Sequence, residues 1–146
     1  MKIIDKEFIV RNKKKKIVMN EKNIMAELNH PFLIEMKFSF ESKESLIFVL
    51  ELCPGGELFS LVKKFRYMEE EMAKFYAIEI LLGLDEIHKN HIIYRDFKPE
   101  NILIDMDGHV RIADFGLAKP NITSKKGKAF SFCGSPEYMP PEMILK

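Results

Sequence analysis

Cysteine is scarce in this chain of 146 residues: only Cys53 and Cys133 occur, eighty positions apart. There is no Cys-x-x-Cys and no Cys/His cluster, so a zinc ribbon and a disulfide scaffold are excluded and reduced thiols are expected. Long apolar runs are also missing. The longest, around Ile78 to Leu84, is broken by Glu79 and is too short to span a bilayer. Near the N-terminus, Lys2, Asp5, Lys6 and Glu7 interrupt the apolar residues, so no signal peptide is expected. Neither sign of charge dominates. Lys plus Arg is 23 and Asp plus Glu is 22, a formal net charge of +1. That balance excludes a basic nucleic-acid arm and an acidic disordered tail, and no nucleic-acid partner is expected. No internal repeat is visible. What remains is 47% apolar and 31% charged, the profile of a soluble, core-forming chain. Length alone suggests one domain.

The element pattern is mixed. Met1 to Ile4 reads as the tail of a strand. From Lys13 to Asn29, Ile17, Val18, Ile24, Met25 and Leu28 recur at helical spacing, and Pro31 ends the segment. Lys13–Lys16 reads as the solvated start of that helix, with a nuclear-import signal as the alternative. Met36, Phe38 and Phe40 alternate with polar residues, and Leu46 to Leu50 follows a polar turn, which predicts a hairpin. Pro54-Gly55-Gly56 precedes a short helix. A long helix is predicted over Glu69–Lys89, with Phe75, Ile78, Leu82 and Ile87 as its buried stripe. Short strands Ile102–Ile104 and His109–Ile112 flank an Asp107-Gly108 turn. Ala113 to Lys146 reads mostly as loop.

The chemistry-bearing motifs lie in the second half. Tyr94-Arg95-Asp96-Phe97-Lys98-Pro99-Glu100-Asn101 comes first. Asp114-Phe115-Gly116 follows, eighteen residues after Asp96. Cys133-Gly134-Ser135-Pro136-Glu137-Tyr138 and Pro140-Pro141-Glu142 complete the series. Singly, Asp96, Asn101 and Asp114 read as turn caps. In this order and spacing the motifs resemble the eukaryotic protein kinases of serine/threonine type. Tyr in place of His before Arg-Asp resembles the AGC group, which holds the cyclic-nucleotide-dependent kinases. The implied fold is α+β and two-lobed, but incomplete. A small β-rich segment would run over 1–52, a hinge over 53–56, and the first part of a helical large lobe over 57–146.

The resemblance implies ATP and Mg²⁺ as cofactors and a protein Ser/Thr hydroxyl as acceptor. It makes Asp96 the residue that accepts the hydroxyl proton, and Lys98 a contact to the γ-phosphate. Asn101 and Asp114 become the magnesium ligands. Lys2 matches the strand lysine that grips the α- and β-phosphates, and Glu21 its helix partner. Glu51, Leu52 and Cys53 match the segment whose backbone binds adenine, with Leu50 at the gatekeeper position and Leu103 beneath the ring. Met25, Met36, Tyr94 and Phe115 match the stacked regulatory spine. Ser131 matches an activation-loop phosphosite, which implies an upstream kinase, with Arg95 and Lys119 as its cationic partners. Ser135 fits a position that bonds back to Asp96 and Lys98. Glu57, Glu100 and Glu137 match positions that receive arginines ahead of the target residue; as three glutamates they read equally as solvated surface.

The departures are specific. No Gly-x-Gly-x-x-Gly occurs. Ile17 stands where the family has an additional phosphate-binding His. Pro140 replaces the Ala of Ala-Pro-Glu. Ser124 to Lys128 reads as a polar insert. The resemblance implies a chain cut at both ends, poorly stable alone, with the stripe of the long helix facing water. A truncated, inactive kinase acting as a binding or decoy module is therefore the rival expectation. Cytoplasmic localisation is expected, with the nucleus as the alternative.

Overall fold

In the computed structural model, residues 1–122 and 133–145 are described. Strand β1 (Lys2–Asp5) pairs antiparallel with β3 (Ser45–Leu50), placing Lys2 opposite Phe48. Asp5 ends the strand by capping a helix. Its carboxylate accepts the Phe8 N–H at 2.7 Å, and α1 (Lys6–Arg11) follows with Glu7 in its first turn and Arg11 in its last. Sequence periodicity gives no sign of α1, because six residues are too few to establish a period.

Helix α2 (Lys15–Glu27) falls inside the expected 13–29 span and ends before Pro31. It buries Val18, Glu21, Ile24 and Met25, while Ile17 is exposed. The hairpin forms as expected from β2 (Met36–Glu41) and β3 (Ser45–Leu50), giving the sheet order β1-β3-β2. The Ser42 hydroxyl oxygen accepts from the Glu44 and Ser45 N–H groups and closes its turn. Phe48 is fully buried, whereas Phe38 and Phe40 stand on the exposed side after a register shift beyond Met36.

The second sheet has the order β4 (Gly56–Glu57), β5 (Ile102–Ile104), β6 (Val110–Ile112). Helix α3 (Leu58–Phe65) leads to α4 (Glu70–Lys89). The expected α4 stripe divides: Ile87 is fully buried, but Phe75, Ile78 and Leu82 are 44%, 59% and 48% exposed. The buried face is Glu79, Ile80, Gly83 and Ile87. Backbone approach explains that choice, since a Cβ on Gly83 would lie 2.8 Å from Ile112 Cδ1 and 3.2 Å from the Phe32 carbonyl oxygen. Helix α5 (Pro141–Ile144) ends the described chain. No described helix is long and apolar enough to cross a membrane.

The lead-in to β2 ties the two sheets. Ile112 N–H donates to the Phe32 carbonyl, and Ile34 N–H to the Ile112 carbonyl. One core cluster therefore runs from Ile24 and Phe48 through Leu33 to Ile102, Val110 and Ile112. The antiparallel sheets and segregated helices agree with the α+β expectation.

Candidate active site

Asp96 sits in the loop between α4 and β5 and is only 8% exposed. A buried carboxylate is tolerated only when hydrogen bonded. Asn101 Nδ2 donates to the Asp96 carbonyl at 2.8 Å and to Asp96 Oδ2 at 2.9 Å. Lys98 Nζ lies 3.1 Å from the same Oδ2. Ser135 Oγ donates to Asp96 Oδ1 at 3.2 Å and accepts from Lys98 Nζ at 3.1 Å. The bond to Asp96 pushes the Lys98 ammonium pKa up. Gly134 lets the Ser135 segment come so close: at φ +113°, a Cβ there would fall 2.7 Å from the Arg95 carbonyl oxygen.

Asp114 follows β6 and is joined to this loop through backbone, since Ala113 N–H donates to the Asn101 carbonyl at 2.9 Å. Asp114 holds the left-handed conformation, φ +57°, and Arg95 does so at +68°. Such residues each cost on the order of 1–3 kcal/mol and cluster at functional sites. Asp114 Oδ1 accepts the Gly116 N–H at 3.2 Å and lies 3.5 Å from Lys2 Nζ. Lys2 Nζ in turn meets Glu21 Oε1 at 2.5 Å. Burial pushes the Glu21 carboxyl pKa up, and Lys2 draws it down less strongly. Strand β1, helix α2 and the turn after β6 thus bring one cation and two carboxylates together.

The Protein kinase domain family matches residues 1–146. The chain belongs to the protein kinase family. It is 46% identical to the serine/threonine-protein kinase sgk-1 of Caenorhabditis elegans, over all of this chain and 32% of that protein. It is 44% identical to the serine/threonine-protein kinase Sgk1 of Rattus norvegicus, over all of this chain and 34% of that one. A RAC family serine/threonine-protein kinase homolog of Dictyostelium discoideum is 39% identical, over 99% of this chain and 32% of its own length. The chain thus spans about a third of the length of these relatives. They are AGC-group kinases, the group that the sequence resembles.

The other expected positions of this kinase chain are distributed as follows. Tyr94 is buried against Phe115, edge to face with centroids 5.6 Å apart, and its hydroxyl donates to the Ala113 carbonyl. Burial drives its phenol pKa far above the ordinary value. Met25 is buried in the same core, and Met36 packs against it. Glu51 and Cys53 lie between β3 and β4. The Cys53 thiol pKa is pushed up to about 11, first by burial and then by Glu51, which keeps it protonated. Leu103 pairs with Glu57 on one side and Arg111 on the other. Glu57 and Glu137 are exposed. Glu100 has a buried Oε2 without a hydrogen-bond partner among the described residues.

Ser131 and the Ser124–Lys128 insert lie outside the described residues. Arg95 Nε donates to the Leu117 carbonyl at 2.8 Å, and its buried Nη1 has no hydrogen-bond partner among the described residues. Lys119 is paired through backbone with Ile93. A cavity of 400 Å³ is lined by Arg95 and Lys119 together with Lys16, Ile17, Asn20 and Cys133.

Three contacts escape a reading of the sequence. Asn20 Nδ2 donates to the Ala118 carbonyl at 2.8 Å and ties α2 to the segment after Asp114. Its place beside Glu21 is the one available hint. His109 Nδ1 meets Glu79 Oε1 at 2.5 Å, and Glu79 Oε2 accepts the Val110 N–H. Arg111 joins Glu51 and Asp105. The latter two pairings span 30 residues or more for His109–Glu79 and 60 for Arg111–Glu51, so no local pattern announces them.

Proposed function

We propose that the protein transfers the γ-phosphate of ATP to serine or threonine hydroxyls of protein substrates. One observation carries this reading. Asp96 takes three side-chain bonds, two at Oδ2 and one at Oδ1. A carboxylate has about four lone-pair positions, so one on Oδ1 remains for a substrate hydroxyl proton.

The donor set suits Mg²⁺. Asn101 spends its amide nitrogen on Asp96, which leaves its oxygen as a ligand, and the Asp114 carboxylate is half exposed. One or two protein oxygens beside phosphate oxygens is the usual magnesium arrangement. When bound, the metal neutralises charge on the phosphates. Lys2, fixed by Glu21, holds the α- and β-phosphates. Lys98 faces the transferred phosphoryl group. The backbone of Glu51 and Cys53 receives adenine above Leu103. On this reading residues 1–52 belong to the small lobe, 53–56 to the hinge and 57–146 to the large lobe.

Glu57, Glu100 and Glu137 favour substrates with arginines ahead of the acceptor; the unpartnered Glu100 oxygen supports this. Phosphorylation of Ser131 by an upstream kinase adds a charge of about −2, for which Arg95 Nη1 and Lys119 are the partners. The two free thiols suit a reducing cytoplasmic compartment, as expected of an intracellular signalling enzyme.

The test is transfer of labelled γ-phosphate from Mg-ATP to two serine peptides, one with arginines ahead of the serine and one with alanines. Transfer to both, faster to the arginine peptide, is expected. No transfer to either, with nucleotide bound, would sink the catalytic reading in favour of a binding module. Equal rates would remove the glutamates from substrate choice.

A further inference from the structure

Arg111 sits on β6 directly opposite Leu103 of β5. Its side chain forks to two carboxylates on different parts of the chain. Nε lies 3.1 Å from Glu51 Oε2, and Nη2 lies 3.0 Å from Asp105 Oδ2. The three side chains are 20%, 17% and 9% exposed, so water screens them little. Glu51 is pinned further. Its Oε1 accepts the Glu35 N–H at 2.8 Å, and its own N–H donates to the Glu35 carbonyl at 2.9 Å. A hollow of 190 Å³ lined by His30, Pro31, Glu35, Glu51 and Arg111 borders the cluster.

We infer that Arg111 is a positioning residue for nucleotide binding: its bridge from Asp105 to Glu51 sets the backbone of the Glu51–Cys53 segment relative to Leu103. The inference rests on the proposal that this segment receives the adenine base. The physical reason is charge. Without the guanidinium, the Glu51 and Asp105 carboxylates are left as uncompensated, largely buried anions. Relief comes by moving one of them toward water. Asp105 is held by its turn, where its Oδ1 accepts the Asp107 and His109 N–H groups. Glu51 has a single N–H on its carboxylate, from Glu35, against two on Asp105, so it is the partner that shifts, and the Glu35–Glu51 backbone pair leading into the Glu51–Cys53 segment shifts with it. A lysine supplies the charge without the rigid fork, so it satisfies one carboxylate at a time.

The experiment uses calorimetry on the full chain with two probes: adenosine, which reports the base site, and Mg-tripolyphosphate, which reports Lys2 and Asp114. Arg111→Leu is expected to weaken adenosine about ten-fold while tripolyphosphate changes less than about two-fold. The KM for ATP rises in step with the adenosine constant, with little change in kcat. Arg111→Lys recovers part of the loss. Glu51→Gln keeps an acceptor for Glu35 N–H but loses the charge, and it weakens adenosine as well. The Arg111→Leu/Glu51→Gln pair is no weaker than Arg111→Leu alone, because the two act through one contact. Wild-type adenosine affinity in Arg111→Leu would overturn the inference, as would equal loss of both probes in Arg111→Leu and Glu51→Gln. Should Arg111→Leu not fold, Glu51→Gln decides: unchanged adenosine binding overturns it. A wild-type chain that binds tripolyphosphate but not adenosine would overturn the base-site reading itself, and this inference with it.

Discussion

Asp96 and Asp114 are carboxylates of one candidate site in opposite surroundings. Asp96 is 8% exposed and takes bonds from Asn101, Lys98 and Ser135. The Asp114 side chain is 52% exposed, takes only the Gly116 N–H and a 3.5 Å contact with Lys2, both at Oδ1, and is aimed by a left-handed backbone. The difference separates two tasks. A carboxylate whose acceptor capacity is nearly spent is fixed in position and has room for one proton. A carboxylate with one oxygen left open has room for a metal cation. The neighbouring lysines divide likewise: Lys98 is bonded into the Asp96 cluster, while Lys2 is held by a buried glutamate and reaches toward Asp114.

Substitutions should separate the two carboxylates in graded steps. The largest expected effect is that of Asp114→Ala, which removes the carboxylate proposed to hold the metal and should cut Mg-ATP-dependent phosphotransfer at least about 10³-fold, a loss of several kcal/mol. Undiminished initial rates would mean that the metal assignment is wrong. Lys2→Met comes next. It leaves Glu21 buried without its cation and should reduce kcat/KM for ATP by about 10²-fold, read from initial rates over an ATP series. A rate within two-fold of the parent would detach the Lys2–Glu21 pair from nucleotide binding.

Ser135→Ala removes one of the three donors on Asp96. Losing a hydrogen bond to a charged group should lower kcat about ten-fold, with nucleotide affinity unchanged. Weaker nucleotide binding with a normal kcat would reverse the roles given to the two aspartates. The smallest effect lies outside both. Glu79 is buried and paired to His109, and that bond raises the His109 pKa above 6.5. A raised histidine pKa stabilises the fold fully below the unfolded value, and the contribution is lost as pH rises through the folded one. The melting-temperature gap between the parent and His109→Gln should therefore be widest below the ordinary histidine pKa of about 6.5 and shrink as the pH rises above it. A gap independent of pH would make the pair a packing contact alone.

Much of this was legible in the sequence because it is local or periodic. The β2–β3 hairpin announces itself by alternation, α2 by its 3.6-residue period, and the Asp96 loop by residues within five positions of one another. The rest depends on what meets across space. Helix α4 carries apolar residues on two faces, and backbone approach at Gly83, which periodicity does not encode, selects the buried one. Helix α1 is shorter than two turns and is fixed at its ends, by the Asp5 carboxylate and by Asn12, whose Nδ2 donates to the Phe8 carbonyl. Arg111 alternates with apolar Val110 and Ile112 and reads as a solvent-facing strand residue, yet the fold carries Glu51 to it from 60 positions away.

The most direct test of this division of labour is the effect of Mg²⁺ on ADP affinity in the parent, Asp114→Ala and Asp96→Asn, measured by calorimetry on the full chain. Magnesium should strengthen ADP binding in the parent and in Asp96→Asn, and should lose that effect in Asp114→Ala, while both variants fail to transfer phosphate. A magnesium effect retained in Asp114→Ala, or lost equally in both variants, would contradict it.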